Sequence, residues 1–210
     1  MSVLDFIMRQ PVVYRLWMAP WAEKKFAPVA ARNDMSRVRR VLDVGCGPGT
    51  NADYFSGVSY LGVDLNPQYI RDAEKRYGNG GKRRFLAVDA AKFQAAPDER
   101  FDFILVNSFF HHVDDQTARG ILANLSRLLA DDGAVHILDL ILPEKLSPAR
   151  VLALADRGEY PRPVEQWRVL FSEFLQPEAF EPYDLGALGI PLWKMVYFKG
   201  TARRGAPATT

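Results

Sequence analysis

The run Val41-Leu42-Asp43-Val44-Gly45-Cys46-Gly47-Pro48-Gly49-Thr50-Asn51 carries a short apolar segment into three glycines within five positions. Glycines placed there let backbone N–H groups approach a ligand that a Cβ atom would push away, which is the chemistry of a nucleotide-like site. A tight turn without a ligand is the plainer alternative. A dinucleotide fingerprint calls for a further glycine three residues after Gly47, and Thr50 stands there instead, so NAD is the weaker candidate. Asp64 follows Gly45 by 19 residues, at the end of Leu61-Gly62-Val63. A carboxylate at such a strand tip can accept hydrogen bonds from both hydroxyls of a ribose. Its other possible duty is to cap the next helix, for which Asn66 is better placed. Asp43, Asp64 and Asp89 together make a turn that repels a diphosphate and tolerates a cation.

A second group of candidates is Phe109-Phe110-His111-His112-Val113-Asp114-Asp115. Imidazole, with a pKa near ~6.5, is the usual proton acceptor at neutral pH, so His111 is the first candidate for a catalytic base. His112 comes next, then Tyr160 and Asp139; packing beside the loop is the alternative for each histidine. Neighbouring side chains in a turn diverge, so His111, His112, Asp114 and Asp115 do not make a closed ligand set and no metal is expected. Further along, Asp156-Arg157-Gly158-Glu159-Tyr160-Pro161-Arg162-Pro163 is a polar cluster between apolar runs. Arg157 and Arg162, with Tyr160, are candidates for holding an acidic substrate group, because guanidinium pairs bidentately with carboxylate or phosphate. Salt bridges to Asp156 and Glu159 are the alternative. Tyr14 and Trp17 suggest a lid over an aromatic or apolar acceptor, against ordinary core packing.

The elements that must position these residues alternate. From Arg40 onward, apolar runs at Val41–Val44, Tyr60–Val63, Phe85–Val88, Phe103–Val106 and Val135–Leu142 are separated by segments long enough to cross a sheet face. That rhythm predicts βαβ units and a parallel sheet. Asn66-Pro67 predicts a helix start, with Ile70, Ala73 and Tyr77 on one face and Gly78 at the end. Ile121, Leu122, Leu125, Leu128 and Leu129 form a second apolar stripe, which the turn residues Asp131-Asp132-Gly133 are expected to close. A helix is expected around Glu165–Leu175, then extended segments at Pro182–Leu185 and Trp193–Phe198. Composition predicts a disordered tail over 201–210.

At 210 residues and 48% hydrophobic, the chain has the length of one well-buried domain. Twenty-seven Lys and Arg against 25 Asp and Glu are too balanced to point to a nucleic acid, so the expected partner is a small molecule. The single cysteine, Cys46, cannot make an intrachain disulfide, and with no targeting segment in view the expected compartment is the cytoplasm. Asp5, Arg9, Pro11 and Arg15 interrupt the apolar amino terminus, so no membrane span is expected.

Over residues 40–142 the chain resembles the class I S-adenosylmethionine-dependent methyltransferases of the small-molecule type. The resemblance is carried by Val41–Gly49, Gly62-Val63-Asp64, Ala87-Val88-Asp89-Ala90, Phe101–Val113 and Leu128–Leu142, in the family's order and at its usual intervals. It implies an α/β fold, a Rossmann-like doubly wound seven-stranded sheet, mostly parallel with an antiparallel last strand. To this are added an N-terminal helical lid (1–39), a cap insertion (143–181) and the last two strands (182–200), all within one domain over 1–200. The resemblance also implies S-adenosylmethionine as cofactor and S-adenosylhomocysteine as product. Asp43, Gly45, Cys46 and Gly47 would line the methionine end, Asp64 and Leu65 would lie at the ribose and adenine, and Asn51 is a further cofactor-binding candidate. Asp89 and Ala90 would hold the adenine edge, and Asn107 and Ser108 would lie near the amino acid portion. The Cys46 thiol itself reads as packing at the turn. Methyl transfer to an oxygen is the expected activity, in a monomer or homodimer. Aminopropyl transfer would want acids for a polyamine where the cap offers arginines, and a non-catalytic module that only holds the cofactor is the other alternative.

Overall fold

The computed structural model describes residues 11–78, 81–156, 158–187 and 189–203, leaving aside the side chains of 11–20. The chain falls into two compact units, Met1–Asp34 and Met35–Thr210. The first carries helix α1 (Pro11–Arg32), whose opening proline lacks only an N–H that the first turn would leave unpaired anyway. Among the described residues no helix is long and apolar enough to cross a membrane.

The second unit is built on a seven-stranded sheet in the order β3-β2-β1-β4-β5-β7-β6. Its strands are β1 (Arg40–Val44), β2 (Ser59–Asp64), β3 (Arg83–Ala87), β4 (Phe101–Asn107), β5 (Leu129–Leu140), β6 (Leu175–Ala187) and β7 (Ile190–Ala202). The pairings among β1 to β5 are all parallel, and β7 runs antiparallel to both its neighbours, which makes this a Rossmann-like, doubly wound sheet. The chain enters at the centre, winds outward through β2 to β3, then returns to lay β4 on the other side of β1. That reversal opens a crevice at the carboxyl ends of β1 and β4, where ligands bind in sheets of this kind. The central strands are buried along almost their whole length, as their unbroken apolar runs require.

Helices α2 (Pro67–Tyr77), α3 (Asp115–Leu128), α4 (Pro148–Ala155) and α5 (Val164–Phe174) cover the sheet. The Asn66 side chain accepts from the Gln68 N–H at 2.9 Å, and Ile70, Ala73 and Tyr77 are the buried face of α2, as their spacing predicts. On α3 the buried face includes Ala118, Ile121, Leu122, Leu125 and Leu128. On α5 it is Trp167, Leu170 and Phe171, with the Trp167 indole donating to the Leu140 carbonyl at 2.9 Å.

Three expectations about the elements need correction. Asp131-Asp132-Gly133 is no separate turn after α3, because β5 begins at Leu129 and takes these residues up as a bulge against Phe101 and Phe103. Gly133 is needed there, since a Cβ would lie 2.6 Å from the Phe101 carbonyl oxygen. Both late strands are far longer than Pro182–Leu185 and Trp193–Phe198 suggest, at 13 residues each. The disguise on β6 is its pair of prolines, Pro177 and Pro182, which an edge strand tolerates because it needs few ladder donors on its outer side. Consequently β6 occupies residues from 175 that were expected in the cap, and Thr201 and Ala202 close β7. The tail from 204 lies outside the described residues.

One buried titratable group in the sheet has a measurable consequence. His136 on β5 places its Nδ1 3.0 Å from the Tyr197 hydroxyl and stacks 3.9 Å from Phe103. Burial, reinforced by the charge of Lys199, pushes its pKa down to about 3 from 6.5. Between those values the unfolded chain takes up a proton that the folded chain refuses. Stability is therefore lost as pH falls through that window, by up to ~1.4 kcal/mol per pH unit. His136→Gln is expected to remove this part of the acid sensitivity. Denaturant unfolding of both proteins at about pH 4 and pH 7 measures it, and parallel losses would assign the sensitivity to other groups.

Candidate active site

The glycine turn leaves β1 with φ of +68° at Gly45, +53° at Gly47 and +81° at Gly49, which a residue with a Cβ rarely adopts. Two of the three also allow close packing. A Cβ on Gly45 would sit 2.3 Å from the Phe109 ring, and one on Gly49 would sit 2.8 Å from the Tyr77 ring. Gly47 is different: nothing lies within 4 Å of its missing Cβ, so its bare side is open to a ligand. The Gly45 and Cys46 N–H groups both donate to the Val63 carbonyl, at 2.8 and 3.1 Å, which ties the turn to β2. The Cys46 thiol is buried against Gly62, and burial foremost, with Asp43 and Asp64 adding, pushes its pKa up. It packs, as expected.

A buried polar chain stands behind this turn. The Tyr60 hydroxyl donates to Asp43, and the Asn51 amide donates to both its oxygens at 3.1 and 3.2 Å. Burial lifts Asp43 to about 7 against the opposing effect of those two hydrogen bonds. Asp43 is fully buried and accepts from Asn51, so it stands behind its expected place in the lining. Asn51 in turn accepts from the Asn107 amide at 2.9 Å, which leaves Asn107 Oδ1 buried with no donor. Such an acceptor is costly until a donor arrives, and the ammonium of an amino acid ligand would satisfy it. Ser108 beside it holds φ +54°, strained for a residue with a Cβ, while its N–H donates to Leu138 at 2.7 Å.

At the tip of β2, Asp64 accepts from Gly47 N–H at 2.9 Å and from Asn66 N–H at 2.8 Å, one bond per oxygen. A carboxylate has about four lone-pair sites, so it retains capacity for ribose hydroxyls. Leu65 next to it is 75% exposed, an apolar surface at the place where a ribose and adenine would lie. Asp89 accepts from Ala91 N–H at 2.9 Å through one oxygen, the strand-end turn that was its alternative role, while its other oxygen is 3.7 Å from Lys92 Nζ. Ala90 follows it, its carbonyl accepting from Asn124 at 2.8 Å.

The histidines occupy the 3₁₀ turn Phe110–His112 just beyond β4. His111 is buried, with Nδ1 2.6 Å from Asp139 Oδ1 and Nε2 3.3 Å from Asp156 Oδ1. Asp139 is fully buried on β5 and also accepts from the Phe110 and Leu140 N–H groups, at 2.8 and 2.7 Å. Held so firmly, its carboxylate makes His111 Nδ1 a donor and leaves Nε2 as the exchangeable position. Burial disfavours the imidazolium, but Asp139 and then Asp156 outweigh it and raise His111 to about 9. Both acids are correspondingly held below the usual carboxylate range despite their own burial. The segment after α4 closes over the ring. A Cβ on Gly158 would lie 2.1 Å from His111 Cδ2, and the Tyr160 N–H donates to the His111 carbonyl at 2.9 Å. His112 is exposed, its ring 4.1 Å from that of His111. The donor atoms of His111, His112 and Asp156 lie within 4.8 Å of one another, a spacing that the His111–Asp156 ion pair explains by charge.

The sequence model of the family described as "Methyltransferase domain" matches residues 41–133, from the glycine turn through Asp64, Asp89, Asn107 and the histidines. Over those residues the chain is similar to the class I S-adenosylmethionine-dependent methyltransferases. It is 30% identical to an O-methyltransferase, resE, of Aspergillus sclerotiorum over 57% of this chain and 47% of that one. It is 27% identical to a trans-aconitate 2-methyltransferase of Methylobacterium radiotolerans over 81% of this chain and 66% of that one. This chain thus spans about half to two thirds of those relatives' lengths. In fold it is similar to the N-methyltransferase NodS of Bradyrhizobium japonicum, solved with S-adenosylhomocysteine, with a TM-score of 0.72, 18% identity and coverage of 95% and 96%.

The cap candidates separate. Arg162 is buried and serves as a strut. It donates to Asp115 and to the carbonyls of Phe110, Val113 and Tyr160, its Nη2 lies 2.7 Å from Asp115 in an ion pair, and its guanidinium stacks 4.7 Å from Trp167. Its guanidinium is thus engaged within the protein, which corrects its expected role. Asp114 caps α3 through the Thr117 N–H at 2.7 Å, so neither it nor Asp115 joins the histidines, as the divergence of neighbours predicts. Tyr160 is 41% exposed. Arg157 lies outside the described residues, and Tyr14 and Trp17 are on α1 with side chains outside them. The residues that sequence reasoning missed are Asp156 as the second partner of His111 and Gly158 against its ring. Asp156 lies 45 residues from His111, and nothing local marks it.

Proposed function

We propose that this chain is an S-adenosylmethionine-dependent methyltransferase that methylates an oxygen of a small-molecule acceptor, with His111 taking the acceptor's proton. The observation that carries the reading is the Asp139–His111–Asp156 chain beside the glycine turn. A hydroxyl must lose its proton as its oxygen attacks, and an imidazole pinned at Nδ1 and loosely engaged at Nε2 is arranged to receive it. The O-methyltransferase among the relatives agrees with that reading.

The residues present fit S-adenosylmethionine. Gly45 and Gly47 with Asn107 Oδ1 would hold its amino acid end, supported by Asn51 and Ser108; Asp64 and Leu65 the ribose; Asp89 and Ala90 the adenine edge. When bound, the cofactor supplies a methyl group on a sulfonium. The chain's own contribution is to fix the acceptor oxygen in line, worth up to roughly 7–11 kcal/mol in good geometries, and to remove its proton. Calorimetry is expected to show binding of S-adenosylhomocysteine and none of NAD, because the turn lacks the further glycine and its acids repel a diphosphate. Asp64→Ala should weaken that binding by roughly 1–3 kcal/mol, the scale for hydrogen bonds to a charged acceptor. An unchanged dissociation constant in the folded variant would remove Asp64 from the site.

A further inference from the structure

We propose that the acceptor is a neutral, acidic hydroxyl of phenol or enol type on an apolar body, and that carboxylic acids are disfavoured at this site. The inference rests on the oxygen reading and narrows it. Two carboxylates bracket the position where an acceptor must meet His111: Asp139 behind the ring and Asp156 at Nε2 itself. An acceptor that displaces Asp156 from Nε2 stays next to it, and even with His111 as the imidazolium at neutral pH the three groups carry one net negative charge, so a second carboxylate there meets like charge in a buried setting. Among the described residues of the Asp156–Pro163 cluster, the arginine that could offset such a charge, Arg162, is buried and makes its hydrogen bonds to Asp115 and to the carbonyls of Phe110, Val113 and Tyr160.

The proton balance points the same way. A carboxylate is already ionised at neutral pH and has nothing for His111 to take. A phenol, with a pKa near ~10, is well matched to an imidazole held at about 9, whereas an aliphatic alcohol is several units too weak an acid. In the reaction the acceptor oxygen forms the new O–C bond as the sulfonium S–C bond breaks. The acceptor's proton passes to Nε2 of neutral His111, and the products are a methyl ether, S-adenosylhomocysteine and an imidazolium. Near Asp156 in sequence, Val151, Leu154 and Tyr160 are 56%, 60% and 41% exposed, large apolar side chains that the body of such a molecule could cover.

The test uses 2-naphthol and 2-naphthoate, which share an aromatic body, titrated by fluorescence into the full chain saturated with S-adenosylhomocysteine. At neutral pH 2-naphthol is expected to bind at least about tenfold tighter. Asp156→Asn should narrow the gap chiefly by strengthening 2-naphthoate. Equal or tighter binding of 2-naphthoate, or binding of neither probe, overturns the proposal. In turnover with S-adenosylmethionine, a methyl ester formed from carboxylic acids in preference to ethers from phenols overturns it as well but leaves the oxygen reading standing. Methylation confined to amines in a parallel panel removes both.

Discussion

Replacing His111 with alanine is expected to lower turnover by about 10²–10⁴-fold while leaving S-adenosylhomocysteine affinity nearly unchanged. The imidazole's hydrogen-bonding partners, Asp139 and Asp156, are not among the residues assigned to the cofactor, so binding and chemistry should separate. Because the change also leaves Asp139 and Asp156 without their shared partner, His111→Gln, which keeps a donor in place, is the companion variant. A role in positioning alone would instead raise the Michaelis constant for the acceptor with turnover nearly preserved. A purely structural role would lower thermal stability and affect every measurement together. The pH profile gives a separate readout. His111 acts as a base only when neutral, and its two carboxylates lift it to about 9, so kcat/KM should climb about tenfold per pH unit until about that value. The corresponding limb in kcat should lie lower, because an acceptor hydroxyl that displaces Asp156 removes one of the charges favouring the imidazolium. Retention of most turnover and of the acid limb in both variants would show that the base lies elsewhere, with His112 next.

The geometry of the candidate cofactor site was legible because each part of it is local. Three glycines after one strand, an acid at the tip of the next and a capped helix behind it all follow from backbone conformation and strand periodicity, which short stretches of sequence encode. Even there the roles were not fully readable. Gly45, Gly47 and Gly49 look alike in sequence, yet Gly45 makes room for Phe109 and Gly49 for Tyr77, and only Gly47 is open. Asp43 looked like lining and stands behind it, because its burial is decided by Tyr60 and Asn51 from other elements. The acceptor half was less legible for the same reason. His111 was visible at a strand end, and Asp139 was conspicuous as an acid in an apolar strand. Asp156 and Gly158 reach His111 only because the chain returns from α4, a contact with no periodic or spacing signal. Arginine at 162 gave a false lead: its guanidinium chemistry was read correctly, but the acceptors it found were backbone carbonyls and Asp115.

Asp139→Asn is expected to cost turnover about as much as His111→Ala, some 10²–10⁴-fold, although Asp139 is fully buried and stands behind the imidazole as a positioning residue. Its two oxygens accept three N–H groups: Oδ1 takes His111 Nδ1 and Leu140 N, and Oδ2 takes Phe110 N. An asparagine has one carbonyl oxygen, so in either orientation its amide turns N–H toward a donor. If the amide faces Phe110, a buried backbone N–H loses its acceptor, at roughly 1–3 kcal/mol of stability. If it faces His111, the imidazole must carry its proton on Nε2 to accept at Nδ1, and the position needed for the acceptor's proton is then filled. Either outcome also removes the larger of the two charges favouring the imidazolium. The acid limb of kcat/KM should therefore move down from about 9 toward the ordinary histidine value of 6.5, a shift that loss of packing would not produce. The two residues act as a unit, so the His111→Ala, Asp139→Asn double variant should be scarcely slower than His111→Ala alone. Full additivity of the two losses, or an acid limb unmoved in Asp139→Asn, would show that Asp139 serves the sheet rather than the base.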